Sequence, residues 1–499
     1  MKRVRCLWAI WAAVGLGAQV VCGEAATTRP GLPFTISKET TVITEPLRKD
    51  GTPDYVAALN KVFGSGVSPE ENGFVAWLEI MGTEKMLDAR TRAEVLALSG
   101  AKETSAKYQP VREFVLKTLR KDEATAEKLS SAIEEAGRRV WREEELAEVA
   151  AYIKAQEEAL NQMNAAAKRA KWWAPYVSPD GSVMYMLIAN AGGTREAAQV
   201  LAARALRRLE GGEAAGFTED IRTIRVIGGW WQNTGSMIEQ LMALRIYETA
   251  DRAVSAAVLS GKLRAEHVKQ LEAMYGAARP RAALLKAFDV CERYSLADSM
   301  VFLATGKKAW GNELLEQVKA AEVEWDLVLK YHDGIMDEYV KMAGEPDVRK
   351  LFAASAALQK RLNEAAGDSR DLRKNRSETR GDYTKRFAAY SALVLVPDMT
   401  RPLAIERRTM LKHDMVVTLL AANRYKLDQG EWPKRLEDLV PGYIAAVPTD
   451  VFSDGGKDAV KYVVTKEGPA IYSVGFRRLT DKNLEKKIDP QAVVGAKGE

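Results

Sequence analysis

The stretch RYKLDQGEWPKRLEDLVPGYIAAVPTDVFSDGG (Arg424–Gly456), continued by KYVVTKEGPAIYSVG (Lys461–Gly475), has the most readable order of parts in the chain. A helix runs into it and ends near Gly430, because glycine accepts the left-handed backbone of a helix terminus. Trp432-Pro433 then makes a turn, since proline cannot continue the helix. A short helix follows, then a Pro-bounded loop, and Lys461–Gly475 reads as a β-hairpin.

Working outward, Gly367–Tyr383 reads GDSRDLRKNRSETRGDY, with Leu372 as its one aliphatic side chain and balanced charge. That composition predicts an exposed loop and the boundary before the last module. Upstream, apolar residues recur at helical spacing. Val56, Leu59 and Val62 follow Pro53. Ser68-Pro69-Glu70-Glu71 looks like a helix start with Ser68 as N-cap, ahead of Phe74, Trp77, Leu78 and Met81. Leu146, Val149, Ile153, Leu160, Met163 and Ala167 form a heptad-like seam interrupted by Gln156, inside a long helix expected over 130–173. Its expected role is packing inside one bundle, with pairing between chains as the alternative. Further helices are expected over 182–209, 218–226, 235–260, 264–275, 312–342 and 347–366. The predicted fold class is mainly α: a multi-helix body with a small α+β C-terminal module. Its parts are a signal peptide (1–23), a linker with an edge strand at Thr41–Thr44 (24–50), the helical body (51–366), the charged loop (367–383), the helix and hairpin module (384–480) and a polar tail (481–499).

The N-terminus places Lys2, Arg3 and Arg5 before an apolar run from Leu7 to Val21, with small Val21 and Gly23 at the −3 and −1 positions of a cleavage site. This is the pattern of a secretory signal peptide. The run falls short of the roughly 20 residues of a comfortable span. Retention as an anchor and lipidation at Cys22 are the other two fates of such a segment. The expected address is the periplasm or another extracytoplasmic site. The segment carries three basic residues and no acidic one, so its removal takes the net charge from +5 to +2. A near-neutral mature chain lacks the basic excess of a nucleic-acid binder. Of the three cysteines only Cys291 lies beyond the signal, so no internal disulfide is expected and the fold must rest on its apolar core.

The chemistry-bearing residues are sparse. His267, His332 and His413 are the three histidines, and none has a second His or Cys at ligand spacing, which argues against a zinc site. His332-Asp333 are sequence neighbours on a helix and point apart. No nucleophile elbow, phosphate-binding loop or dinucleotide fingerprint occurs, so no cofactor is expected. Cys291 reads as a buried thiol. Asp450, Asp454 and Asp458 stand four apart in a Gly-containing loop, a weak calcium candidate set against plain turn chemistry. Trp172-Trp173 and Trp230-Trp231 are adjacent on helices, so one ring of each pair can be core and its neighbour partly exposed. With Trp432 and Tyr472 they are the candidate ligand or partner contacts. Gly228-Gly229 predicts a sharp turn before the second pair.

Two family resemblances follow. Tyr425, Gly430, Trp432 and Pro433, then Val447-Pro448-Thr449-Asp450-Val451-Phe452, then Tyr472-Ser473-Val474-Gly475, resemble the globular part of type II secretion major pseudopilins. That family continues with an Asp- and Gly-rich calcium loop, where this chain has FRRLTDKNLEKK (476–487). Its transmembrane prepilin helix has no counterpart before this module, so filament assembly does not carry over. The whole chain also resembles a group of secreted proteins of planctomycete-type bacteria, through Asp54–Asn60 and Gly66–Asn72, a helical middle and the pseudopilin-like end. The resemblance implies export and this order of parts, and brings no reaction. The expected function is that of a non-enzymatic envelope protein binding another protein or a surface polymer. The alternative is a periplasmic hydrolase or carbohydrate-active protein with a cleft of Trp rings and carboxylates.

Overall fold

Helix starts in this chain are set by side chains that accept from otherwise unpaired N–H groups. The computed structural model describes residues 31–186, 188, 191–277, 279–280, 283–307, 318, 320–367, 378–396, 398–473 and 493–495. The expected signal peptide, residues 368–377 of the charged loop and most of the polar tail lie outside them.

Helix α1 (Tyr55–Gly64) starts where Asp54 accepts the Ala57 N–H at 3.0 Å. The cap of α2 (Gly73–Met81) is Asn72 rather than Ser68, and Ser68–Glu71 form a turn ahead of it. The Asn72 amide oxygen accepts from both Phe74 and Trp173 N–H at 3.0 Å, and its Nδ2 donates to the Trp173 carbonyl at 2.8 Å. One side chain therefore starts a helix and ties it to a distant segment. Helix α3 (Arg92–Ser99) follows.

The single helix expected over 130–173 is three: α4 (Glu123–Ala136), α5 (Ala147–Ala155) and α6 (Glu157–Ala166). Gly137 ends the first. Beyond it Trp141 is buried, and its indole N–H donates to the Ala203 carbonyl at 3.0 Å. Gln156 marks the second break, where its Oε1 accepts the Gln109 N–H at 2.9 Å. The seam residues Val149, Ile153, Leu160 and Met163 are buried within the chain's own core.

Then come α7 (Ala191–Glu210), α8 (Ala214–Trp231), α9 (Met237–Leu259) and α10 (Ala265–Ala277). Ser236 and Glu239 form a capping box at the start of α9. No turn occurs at Gly228-Gly229, and α8 runs through both. Gly228 instead admits the Tyr247 ring of α9, which would lie 3.2 Å from an added Cβ. The remaining helices are α11 (Arg293–Ala304), α12 (Trp325–Ala343), α13 (Val348–Ala366), α14 (Arg380–Leu395) and α15 (Thr400–Gln429). The start expected for α12 falls on residues 308–317, outside the described ones.

The largest core joins α2–α10 to the middle of α15 and to Leu436, Leu439, Phe452, Ile471 and Val494 of the C-terminal module. A second core gathers Phe34, Ile36 and Tyr55 with α11, α12 and α14. A third holds Phe288, Met336, Leu351 and Leu403. Helix α15 thus runs from the third core into the first.

The described part of the 24–50 segment packs as irregular coil, and its expected edge strand does not form. The Thr41 hydroxyl meets the Ser37 and Ile43 carbonyls at 3.0 and 2.8 Å, a local bonding pattern that competes with strand pairing. Thr35 donates through N–H and hydroxyl to Asp326 at 2.7 and 2.8 Å, and Arg48 pairs with buried Asp298 at 2.9 Å.

In the module, Gly430 ends α15 at φ +86° and a 3-10 turn spans Leu436–Leu439. Strand β1 (Lys461–Thr465) pairs antiparallel with β2 (Gly468–Tyr472), Lys461 opposite Tyr472. A third strand, β3 (Val493–Gly495), lies in the expected polar tail and pairs antiparallel with β2. Val494 is buried, which gives those three residues their reason to pair. Among the described residues no helix is long and apolar enough to cross a membrane.

Candidate functional site

Helix α9 is buried along most of its length, yet it carries Arg245, Glu248, Asp251 and Arg252 in just over two turns. One helical turn separates Arg408 from Lys412 on α15. With Glu135 and Arg138 at the end of α4, they line a cavity of about 470 Å³. Leu259 and Val493–Gly495 close one side, so the basin lies where the module's last strand meets the helical body.

Five cations face three carboxylates here. On the floor, Glu248 is buried and meets Arg245 at 3.0 Å, Arg408 at 3.7 Å and Lys412 at 3.8 Å. Burial works to raise its carboxyl, and the fields of Lys412, Arg408, Arg245 and Arg252 overcome that and hold it below the ordinary glutamate value. Burial lowers the Lys412 ammonium, with Glu248 opposing. Arg245 and Arg252 stand at the exposed rim, Arg252 4.0 Å from Glu134.

Asp251 has the opposite balance. Burial pushes its carboxyl up to about 6, against the pull of Arg225 and a hydrogen bond from Tyr275. The Tyr275 hydroxyl donates to Oδ1 at 2.8 Å, Arg225 approaches the same oxygen at 3.4 Å, and Oδ2 accepts no hydrogen bond. The Arg225 guanidinium lies 3.8 Å from the Tyr275 ring centroid. Behind it, burial and the charges of Arg225 and Arg279 lower His413 to about 3, so Nδ1 of the neutral ring accepts from Arg225 at 3.4 Å. The basin can therefore hold an anion, and it sets an easily protonated carboxyl beside an ionised one.

None of the candidate residues singled out in the sequence lines this basin. Trp172, Trp230 and Trp231 are buried, with Trp172 stacked on Trp230 at 5.1 Å between centroids. Trp173 is half-buried against Gly64. These rings spend their faces on packing and leave no groove for a ligand. Trp432 is half-buried under the Lys426 ammonium, 4.4 Å from its centroid, and Tyr472 is half-buried in β2. Asp450 is buried, and its Oδ1 accepts from Phe452 N–H at 3.0 Å, which is turn chemistry, and from the Ser473 hydroxyl at 2.7 Å, which ties the loop to the end of β2. Asp458 is exposed, and the side chain of Asp454 lies outside the described residues. Among the described residues no group of three His, Cys, Asp or Glu side chains is placed to hold a metal. His332 is buried, bonded to the Ala388 carbonyl and the Ser391 hydroxyl at 3.0 Å and lowered by burial to about 4. Cys291 is a free, buried thiol.

The signal that could have found the basin is the set of charges at 245, 248, 251 and 252 on a helix that is otherwise buried along most of its length. The buried members, Glu248 and Asp251, need partners, and most of those belong to other segments.

No protein-family model matches the chain, and no curated protein or solved structure matches it.

Proposed function

We propose that the chain is an exported, non-enzymatic protein of the cell envelope that binds another protein or a surface polymer through anionic groups seated in the basin. The observation that carries this reading is the convergence of Arg138, Arg245, Arg252, Arg408 and Lys412 on one cavity. Arg408 and Lys412 sit largely out of water, where an anion gains more from them than at an exposed surface, and Arg138, Arg245 and Arg252 add their charge from the rim. The secretory pattern of the first residues supports the location, and the pseudopilin-like end supports a role in the envelope.

In-cell crosslinking of the full chain, followed by affinity purification from the native envelope, tests it. An acidic partner recovered with the wild type and lost with a Lys412→Gln/Arg252→Gln double variant is the expected result. Self-crosslinks alone, or a partner retained by the double variant, would sink the reading.

A second reading rests on Asp251 and Glu248, whose environments push their pKa values apart as in a general acid paired with a base or nucleophile. On that reading the protein is a periplasmic hydrolase. Turnover of an envelope substrate by the wild type, lost in Asp251→Asn with the fold intact by circular dichroism, would favour it.

A further inference from the structure

A second cavity, of about 380 Å³, opens between the segment around Val183, the start of α9, α11, α12 and the junction of α14 with α15. Its walls are apolar and rich in flexible side chains: Met184, Met186, Met237, Met336, Met399 and Leu296. Methionine walls adapt to the shape of whatever enters. Ile238 and Val394 flank the mouth, at 59% and 43% exposure. The volume falls in the range of small-molecule sites, about 300–1,000 Å³.

Within this wall stands one carboxylate, Glu292, which accepts the Met237 N–H at 3.0 Å. Behind it, buried Glu239 accepts from the Ser236 hydroxyl at 2.7 Å and the Tyr176 hydroxyl at 2.8 Å. Neither carboxylate forms an ion pair with a cation among the described residues. Burial raises both carboxyls, and the charge of Glu239 adds to the shift at Glu292. Glu292 is half-buried and Glu239 buried, and two ionised acids so placed are costly unless they take up a proton or a cation joins them. The contrast with the basin is sharp, because there Glu248 and Asp251 each have a cation within 4 Å.

We propose that this cavity binds a small amphiphilic amine, its ammonium on Glu292 and its apolar body among the methionines. A fully apolar ligand would leave the carboxylate unpaired, and an anionic one would meet two like charges. An ammonium is the head group that the lining completes.

The test is calorimetric titration of the full-length mature protein with hexylamine, hexanol and hexanoate. Hexylamine is expected to bind at one per chain, about tenfold or more above hexanol, as a charge-assisted hydrogen bond implies, with hexanoate not binding. Glu292→Gln keeps an oxygen for the Met237 N–H and removes the charge. It should weaken hexylamine about tenfold and leave hexanol unchanged. Ile238→Lys, at an exposed position, puts a competing ammonium at the mouth and should weaken hexylamine without disturbing the fold. Equal binding of amine and alcohol, no binding of any probe, or unchanged hexylamine affinity in both variants would overturn the assignment. The basin contributes no residue to this cavity, so this outcome is independent of the anion-binding proposal.

Discussion

Glu406 faces inward from α15, 1% exposed, with Oε1 accepting the Leu284 N–H at 2.9 Å and Oε2 without a hydrogen bond. Burial pushes its carboxyl up to about 7, against the pull of the Leu284 N–H and of Arg407. An unfolded glutamate releases its proton near pH 4.3. Between that value and about 7 the folded chain holds a proton that the unfolded chain has lost, so this group's contribution to stability falls as pH rises through the window. Glu406→Gln removes that slope. The variant should stand near parity with the wild type at pH 4 and gain on it by up to about 3 kcal/mol at pH 8. Denaturant midpoints at the two pH values check this, and an advantage that does not grow with pH would refute it. Single residues were legible where their chemistry is local. Cys291 is a buried thiol as its helical, His-poor setting predicts. Trp172 and Trp173 do not lie on a helix as expected, because α6 ends at Ala166, and it is the irregular chain beyond it that buries Trp172 and leaves Trp173 half-buried. Trp230 and Trp231 are both buried, because α2, α9 and the segment after α6 close around α8 from different sides, and no local pattern carries that information.

At the scale of elements, α2 shows how closely helix and aromatic core fit. A Cβ on Gly73 would sit 2.6 Å from the Trp230 ring. That ring cannot yield, because its N–H donates to the Arg169 carbonyl at 3.0 Å and its faces meet Trp172 and Trp77. Alanine is the better helix former by about 1 kcal/mol, yet Gly73→Ala should destabilise the protein by about 1–3 kcal/mol through overpacking. Gly64→Ala meets the half-buried Trp173 ring, whose indole N–H, unlike that of Trp230, has no hydrogen bond to lose when the ring shifts, and should cost less. Thermal melts of both variants give the order, and an equal or reversed cost would contradict it. Helix content, the helix and hairpin order of the last module and the extent of α13 were readable, since periodicity and turn residues act locally. Element ends were less so. Gln156 and Asn72 look like ordinary polar residues until their partners, Gln109 and Trp173, are brought alongside by the fold. Strand β3 is too short to read without the β2 edge that it completes.

For the whole molecule, α15 is the member that carries one core into another, and β3 is the flap of chain that closes the basin against α9 and α15. The charges of the basin were visible in the sequence, but their convergence was not, because α4, α9, α15 and β3 are far apart in the chain and only packing brings them together. This arrangement separates the site from the fold that supports it. Strand β3 meets β2 through Ala470, Ile471 and Tyr472 alone, a short pairing beside cores that span most of the helices. A chain ending at Ile488 should therefore keep its helices, with the far-UV signal unchanged. It should lose the Val493–Gly495 wall, uncover Leu259 and bind a hydrophobic dye more strongly. Affinity for a polyanion such as poly-glutamate should fall, because cations opened to water hold an anion less firmly. The loss should match that of the Lys412→Gln/Arg252→Gln variant in direction and shrink as salt is raised. A truncated chain that binds poly-glutamate as well as the full one would show that β3 is not part of the site. One that loses its helical signal would show that the last strand supports the body as well as the basin.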